Sequence, residues 1–244
     1  MRILPVVDLL GGKVVRAIRG DRANYRPLES PQIDEPTPEC VGKFLRKQGK
    51  FREAYVADLD LIQGQAHNRD AWGDLVAAGL TIWLDAGVTT VVQGIALYAA
   101  LRKLSRKNRL IVGLETLTSI DTIRSLVEWI GEDHLVFSLD LRAGKPIHDD
   151  ESWAKLSPAK IAGKVIAAGC RSVILLDLAD VGTGNGLTTL PLLKRLSKKY
   201  PEVEWWIGGG ARGPEDISAA EAAGATGCLV GSAIYDGKIS PKRS

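Results

Sequence analysis

The 244-residue sequence predicts an α/β fold, a (β/α)8 TIM barrel built as two similar halves. Two observations carry this. Short apolar runs alternate strictly with stretches of helical period, and motifs at the ends of the first four runs return, in order, at the ends of the last four.

The runs are 2–7, 54–59, 80–84, 109–113, 134–139, 172–176, 203–207 and 227–230. They are rich in Val, Ile and Leu and apolar on both faces, as strands of a parallel sheet covered by helices must be. Their mean spacing is about 30 residues, the size of one βα unit. Helices are expected near 37–48, 69–78, 92–104, 119–130, 157–168, 188–199 and 213–223. Starts are marked by Thr37-Pro38, by Ser119 with Asp121, by Ser157-Pro158 and by Gly213-Pro214-Glu215. A doubly wound open sheet shares the alternation but leaves the internal repeat unexplained. Residues 1–244 are therefore expected to form one barrel domain, with halves of about 1–130 and 131–244.

The repeat is legible strand by strand. Asp8-Leu9-Leu10-Gly11-Gly12-Lys13 corresponds to Asp140-Leu141-Arg142-Ala143-Gly144-Lys145, each after an apolar run. Ala57-Asp58-Leu59 corresponds to Leu176-Asp177-Leu178, Trp83-Leu84-Asp85 to Trp206-Ile207-Gly208, and Ile111-Val112-Gly113 to Leu229-Val230-Gly231. Each second copy lies 118 to 132 residues after the first, near half the chain length.

Composition excludes several classes. The chain is 45% hydrophobic and 25% charged, ordinary for a globular protein. A net charge of +3 is too small to argue for nucleic acid but tolerates a phosphorylated ligand. No apolar run reaches the roughly 18 residues of a membrane span, and the strand-like start leaves no signal peptide. Cys40, Cys170 and Cys228 are far apart and form no C-x-x-C pair, so reduced structural thiols in a cytoplasmic protein are expected. His67, His134 and His148 lack metal spacing; neither metal nor cofactor is expected, and the protein is read as a monomer or weak homodimer. The tail, Lys238-Ile239-Ser240-Pro241-Lys242-Arg243-Ser244, is basic and leaves little room for a full last helix.

In barrels of this kind the strand C-termini and the loops after them carry the chemistry. Asp8 and Asp140 are expected there, where their strands end, on opposite sides of the ring. Proton transfer at a sugar carbon needs an acid on one side and a base on the other, and opposed aspartates supply both. After the sixth strand, Gly182-Thr183-Gly184-Asn185-Gly186 offers close backbone approach and a hydroxyl. After the seventh and eighth, Gly208-Gly209-Gly210-Ala211-Arg212 and Gly231-Ser232-Ala233 have the makeup of a phosphate grip. The first-half counterparts read Asp85-Ala86-Gly87-Val88-Thr89 and Gly113-Leu114-Glu115, which put carboxylates where the other half has bare amides. Lys13 and Lys145 could in principle form a Schiff base, although loop cations are the simpler reading. The long first connection, 11–36, carries Arg16, Arg19, Arg22, Tyr25 and Arg26, and Val14-Val15-Arg16-Ala17-Ile18-Arg19 has the makeup of a short strand. The long connection 142–156 holds Trp153, for which packing is the alternative to a binding role.

These stretches resemble the histidine-biosynthesis isomerase family, with Pro5-Val6-Val7-Asp8-Leu9, Val56-Ala57-Asp58-Leu59-Asp60, Ser138-Leu139-Asp140, Gly182-Thr183, Gly208-Gly209-Gly210 and Val230-Gly231-Ser232-Ala233 spread over nearly the whole chain. The likeness to the sister cyclase of the pathway is weaker, because Val6-Val7 stand where that family usually has a cysteine. The resemblance implies Amadori rearrangement of a phosphoribosyl-type aminosugar, without a cofactor. It makes Asp8 and Asp140 the acid–base pair assisted by Thr183. It gives Gly209, Gly210, Gly231 and Ser232 one phosphate, with Gly182, Gly208 and Arg19 beside the substrate and Trp153 on a mobile loop that can lie against it. The family's substrate, ProFAR, carries a phosphate at each end, and Asp85 and Glu115 depart from the second grip. A divergent relative acting on a substrate with one phosphate is the leading expectation, with a cationic or hydroxyl-rich far end near Asp85 and Glu115. The authentic ProFAR isomerase and a non-catalytic phosphometabolite-binding barrel are the alternatives.

Overall fold

The structure is a computed structural model that describes residues 1–239; the end of the basic tail, 240–244, lies outside the described residues. In chain order the strands are β1 Arg2–Leu10, β2 Lys13–Arg16, β3 Arg26–Pro27, β4 Glu53–Asp58, β5 Thr81–Asp85, β6 Arg109–Gly113, β7 Leu135–Arg142, β8 Lys145–Pro146, β9 Ser172–Asp177, β10 Glu204–Gly208 and β11 Gly227–Val230. Eight of them, β1, β4, β5, β6, β7, β9, β10 and β11, pair in parallel in that order, and β11 closes onto β1 through Arg2↔Gly227 to Pro5↔Val230. This is the expected barrel, and every barrel strand falls on a predicted apolar run.

Helices Arg69–Ala77, Val91–Leu104, Ile120–Ile130, Pro158–Ala167, Leu190–Lys199 and Pro214–Ala222 cover the outside. The hydroxyls of Ser119 and Ser157 accept from the amides of Asp121 and Lys160, which fixes two helix starts. The stretch expected as one helix over 37–48 is α-helical only through Pro38–Lys43 and widens to a π turn at Phe44–Gln48. The wider turn buries the successive side chains Phe44 and Leu45 together. The last described helix, Ser232–Tyr235, is four residues long.

One expectation about the aspartates changes. β1 and β7 do not end at Asp8 and Asp140 but run two residues further, because β2 and β8 fold back on them as antiparallel arms. The arms turn at Gly11-Gly12 and at Ala143-Gly144, all four residues with positive φ. Each turn is held by a carboxylate from the next barrel strand or the loop after it. Asp60 Oδ2 accepts from Gly11 N at 2.8 Å, and Asp177 accepts from Ala143 N and Gly144 N at 3.0 and 2.7 Å. The half-barrel correspondence therefore extends to the hairpins, although their braces differ in position: Asp177 corresponds to Asp58, and the first hairpin is held by Asp60.

The barrel floor is aromatic and ionic. Trp83 and Trp206, which correspond between the halves, meet edge to face with ring centroids 4.7 Å apart. Arg109 lies 4.2 Å from the Trp83 ring and Arg2 4.8 Å from the Trp206 ring. Glu204 accepts from both arginines at 2.8 Å. Gly227 makes room for Trp206, since a Cβ there would come within 2.1 Å of the indole.

Candidate active site

Above that floor, three aspartates on alternate barrel strands face one cavity at the C-terminal end of the barrel. Asp8 comes from β1, Asp85 from β5 and Asp140 from β7, the first, third and fifth strands of the ring. Alternate strands of such a barrel contribute to the same interior layer, so their carboxyls converge. On the seventh strand, β10, the corresponding residue is Gly208. The cavity measures about 320 Å³.

Each carboxylate is held differently. Ser138 Oγ donates to Asp140 Oδ1 at 2.6 Å, and the amide of Glu115 donates to Oδ2 at 3.3 Å. Tyr55 donates its phenol proton to Asp85 Oδ2 at 2.9 Å, while Gly87 N donates to Oδ1 at 3.3 Å. Gly113 gives Asp140 its space, because a Cβ there would sit 2.8 Å from Asp140 Oδ2. Asp8 is open to the cavity and has Arg22 and Tyr25 as charged and phenolic neighbours.

The shared enclosure favours neutral forms. Burial pushes the Asp8 carboxyl up to about 7; the Arg22 cation opposes this and the Asp85 charge adds to it. Burial, then the Asp85 charge, push Asp140 up to about 7 against the Ser138 and Glu115 hydrogen bonds. Burial pushes Asp85 to about 6 against the hydrogen bonds from Tyr55 and Gly87. Asp8 and Asp140 are thus both raised from the ordinary carboxyl range toward neutrality.

The first connection crosses the mouth. Arg22 Nη2 donates to Glu115 Oε2 at 2.8 Å, tying the connection to the loop after β6. On the other side, Arg19 N donates to Val181 O at 2.8 Å. Gly182 packs so closely on this connection that a Cβ would lie 2.5 Å from Ala17 O.

Across the cavity from Asp85 stand the glycine loops. Gly209 and Gly210 have φ of 93° and 88°, and side chains there would meet Asp177 O at 2.5 Å and Gly186 O at 2.6 Å. Gly182, Thr183, Gly231 and Ser232 line the same cavity. The Thr183 hydroxyl donates to Asp180 O at 2.8 Å.

Of the residues singled out from the sequence, Asp8, Asp140, Thr183, Gly182, Gly209, Gly210, Gly231 and Ser232 are brought together around the cavity. Gly208, Arg19 and Trp153 are not among its lining residues. Gly208 is the last residue of β10, and its neighbour Gly209 reaches the cavity. The Arg19 side chain is exposed, and its backbone carries the contact to Val181. Trp153, 2% exposed, is packed in the hydrophobic core with its indole N–H on Leu117 O at 3.2 Å. That hydrogen bond fastens the connection after β7 to the loop after β6. Arg22 and Tyr25, noted in the sequence only as part of the long first connection, line the cavity, and so does Tyr55, which sequence reasoning did not select. A tyrosine on an inward-facing strand position needs a polar partner for its hydroxyl, which was the available signal for Tyr55.

A closed eight-stranded barrel with paired carboxylates and glycine loops at its C-terminal mouth belongs to the class of half-barrel-repeat (β/α)8 proteins. Residues 2–240 match the family model described as "Histidine biosynthesis protein", and the chain belongs to that family. A Thermus thermophilus protein is 30% identical over 249 residues, covering 100% of this chain and 98% of its own. It is named 1-(5-phosphoribosyl)-5-((5-phosphoribosylamino)methylideneamino) imidazole-4-carboxamide isomerase. A Rubrobacter xylanophilus protein of the same name is 28% identical, over 98% of this chain and 93% of its own. An uncharacterized protein of Methanocaldococcus jannaschii is 29% identical, over 98% of this chain and 95% of its own.

Proposed function

We propose that the protein is an aldose–ketose isomerase that performs an Amadori rearrangement on a phosphoribosyl-type aminosugar, with Asp8 and Asp140 as the acid–base pair. The observation that carries this reading is the pair itself: two carboxyls on facing strands of one cavity, each raised to about 7. The isomerase names of full-length relatives support the reaction class.

The chemistry follows from the geometry. One aspartate, protonated, delivers its proton to the ring oxygen of the aminoaldose as the C1–O bond breaks. The nitrogen lone pair forms the C1=N bond. The other, ionised, removes the proton from C2, giving an enolamine that tautomerises to the aminoketose. Both carboxyls work near their own pKa, where proton transfer in each direction is least uphill. The Thr183 hydroxyl assists beside them. Gly209, Gly210, Gly231 and Ser232 hold the sugar phosphate with backbone amides and one hydroxyl, with Gly182 alongside.

The substrate is read as diverged from that of the named relatives. The name of the relatives' substrate contains two phosphoribosyl groups, whereas Asp85 and Glu115 occupy the first-half positions that correspond to the glycine loops. A second reading, the authentic isomerase of those relatives, is favoured by identity that spans the full length of both chains. Complementation of a histidine auxotroph lacking the isomerase separates the two. Growth would overturn the divergent reading, and no growth with soluble protein would overturn the authentic one. Asp8→Asn and Asp140→Asn should each lower turnover about 10²–10⁴-fold with phosphate affinity retained. A barrel that only binds its ligand shows no turnover for these changes to lower.

A further inference from the structure

The two ends of the cavity differ more than either Asp8 or Asp140 requires. One end is the glycine loops. At the other, Asp85 stands where the second half of the chain has Gly208, and Tyr55 directs a proton onto it at 2.9 Å. Glu115 accepts from Arg22 at 2.8 Å, so the Arg22 cation is already engaged by a carboxylate. Tyr25 also lines the cavity and is 9% exposed. A phenol on the cavity wall can exchange a hydrogen bond with a ligand's polar atom.

Charge decides what can bind there. Asp85 and Glu115 place two carboxyl groups at this end against the single guanidinium of Arg22, before Asp8 and Asp140 are counted. A second phosphate would face like charge in a poorly solvated space. An amino or hydroxyl group would instead find acceptors on Asp85 and Glu115 and the Tyr25 phenol.

Resting on the isomerase reading above, we infer that the Asp85–Glu115–Tyr25 end of the cavity is a specificity subsite for a non-anionic, amino- or hydroxyl-bearing substituent on the nitrogen of an aminosugar monophosphate. The sugar phosphate lies at the glycine loops, and the substituent lies over β5 and β6.

The test uses three stable 1-amino-1-deoxyribulose 5-phosphates that carry aminoethyl, phenyl or phosphonophenyl groups on nitrogen. Calorimetric titration into the full-length protein should give affinity in the order aminoethyl, phenyl, phosphonophenyl. The first should exceed the last by at least about tenfold, the scale of a single mismatched charge. The paired change Asp85→Asn with Glu115→Gln should reduce that ratio to roughly threefold or less. The wild-type ratio needs no variant, so a misfolded double mutant leaves the test intact. Equal or tighter binding of the phosphonophenyl compound would overturn the subsite while leaving the isomerase reading in place if any of the three is interconverted. Failure of all three to bind would overturn both.

Discussion

Arg22 and Glu115, 93 residues apart in sequence, are joined by a 2.8 Å ion pair that runs from the first connection to the loop after β6. The same guanidinium also lowers the pKa of Asp8 against the effect of burial. Replacing Arg22 with Met removes that cation. The Asp8 carboxyl should then titrate above its present value of about 7, while Asp140, whose rise comes from burial and Asp85, should stay near its own. Carboxyl carbon NMR of Asp-labelled protein reads both titrations, and an unmoved Asp8 would contradict the assignment.

Asp140 makes stability depend on pH in a direction opposite to that of a salt-bridged aspartate. Its ordinary value is 3.8 and its folded value about 7, so between those values the folded chain holds a proton that the unfolded chain has released. Stability therefore falls as pH rises from about 4 to about 7, then levels off. Asp140→Asn, which has no charge to bury, should show a smaller fall between pH 5 and pH 8. Urea midpoints at the two pH values supply the comparison.

Tyr55→Phe removes the phenol proton that Asp85 Oδ2 accepts. That hydrogen bond holds the Asp85 value down, so the variant should titrate above about 6 at this position. Losing a buried hydrogen bond of this kind should also cost about 1–3 kcal/mol in chemical denaturation.

Gly227→Ala tests the floor rather than the mouth. The added methyl would lie 2.1 Å from the Trp206 ring, which is itself fully buried against Trp83. Both indoles are fully buried, so making room costs packing, and destabilisation of about 1–3 kcal/mol is expected, read from the thermal or urea midpoint.

Gly209→Ala strikes the glycine loop. Its φ of 93° suits only glycine, and a Cβ would sit 2.5 Å from Asp177 O. The strain should cost about 1–3 kcal/mol, and inorganic phosphate affinity by phosphorus NMR should fall with it.

Much of this molecule is legible in its sequence because strands buried on both faces leave unbroken apolar runs, and each of the eight runs is a barrel strand. The contrast between Asp85 and Gly208 is legible too, since both follow a matching Trp-x motif. The extension of β1 and β7 past their aspartates was not. It depends on hairpin arms whose turns are braced by Asp60 and Asp177 from other parts of the chain. The Arg22–Glu115 pair was hidden for the same reason, because only closure of the ring brings the two residues together. Trp153 reads as a loop tryptophan until the neighbouring loop supplies Leu117 O for its indole.

The difference between Asp85 and its second-half counterpart Gly208 has a consequence for how a ligand docks. A ring with two identical halves has a rotation axis along its pore, and an elongated ligand with like ends could enter it either way round. In such a ring the two carboxyls would be interchangeable, each meeting the same end of the ligand in half of all encounters. With Asp85 on β5 and Gly208 on β10 that rotational equivalence is gone. For the sugar substrate proposed above, head and tail would then be told apart at entry, and Asp8 and Asp140 would each meet one fixed face and could specialise.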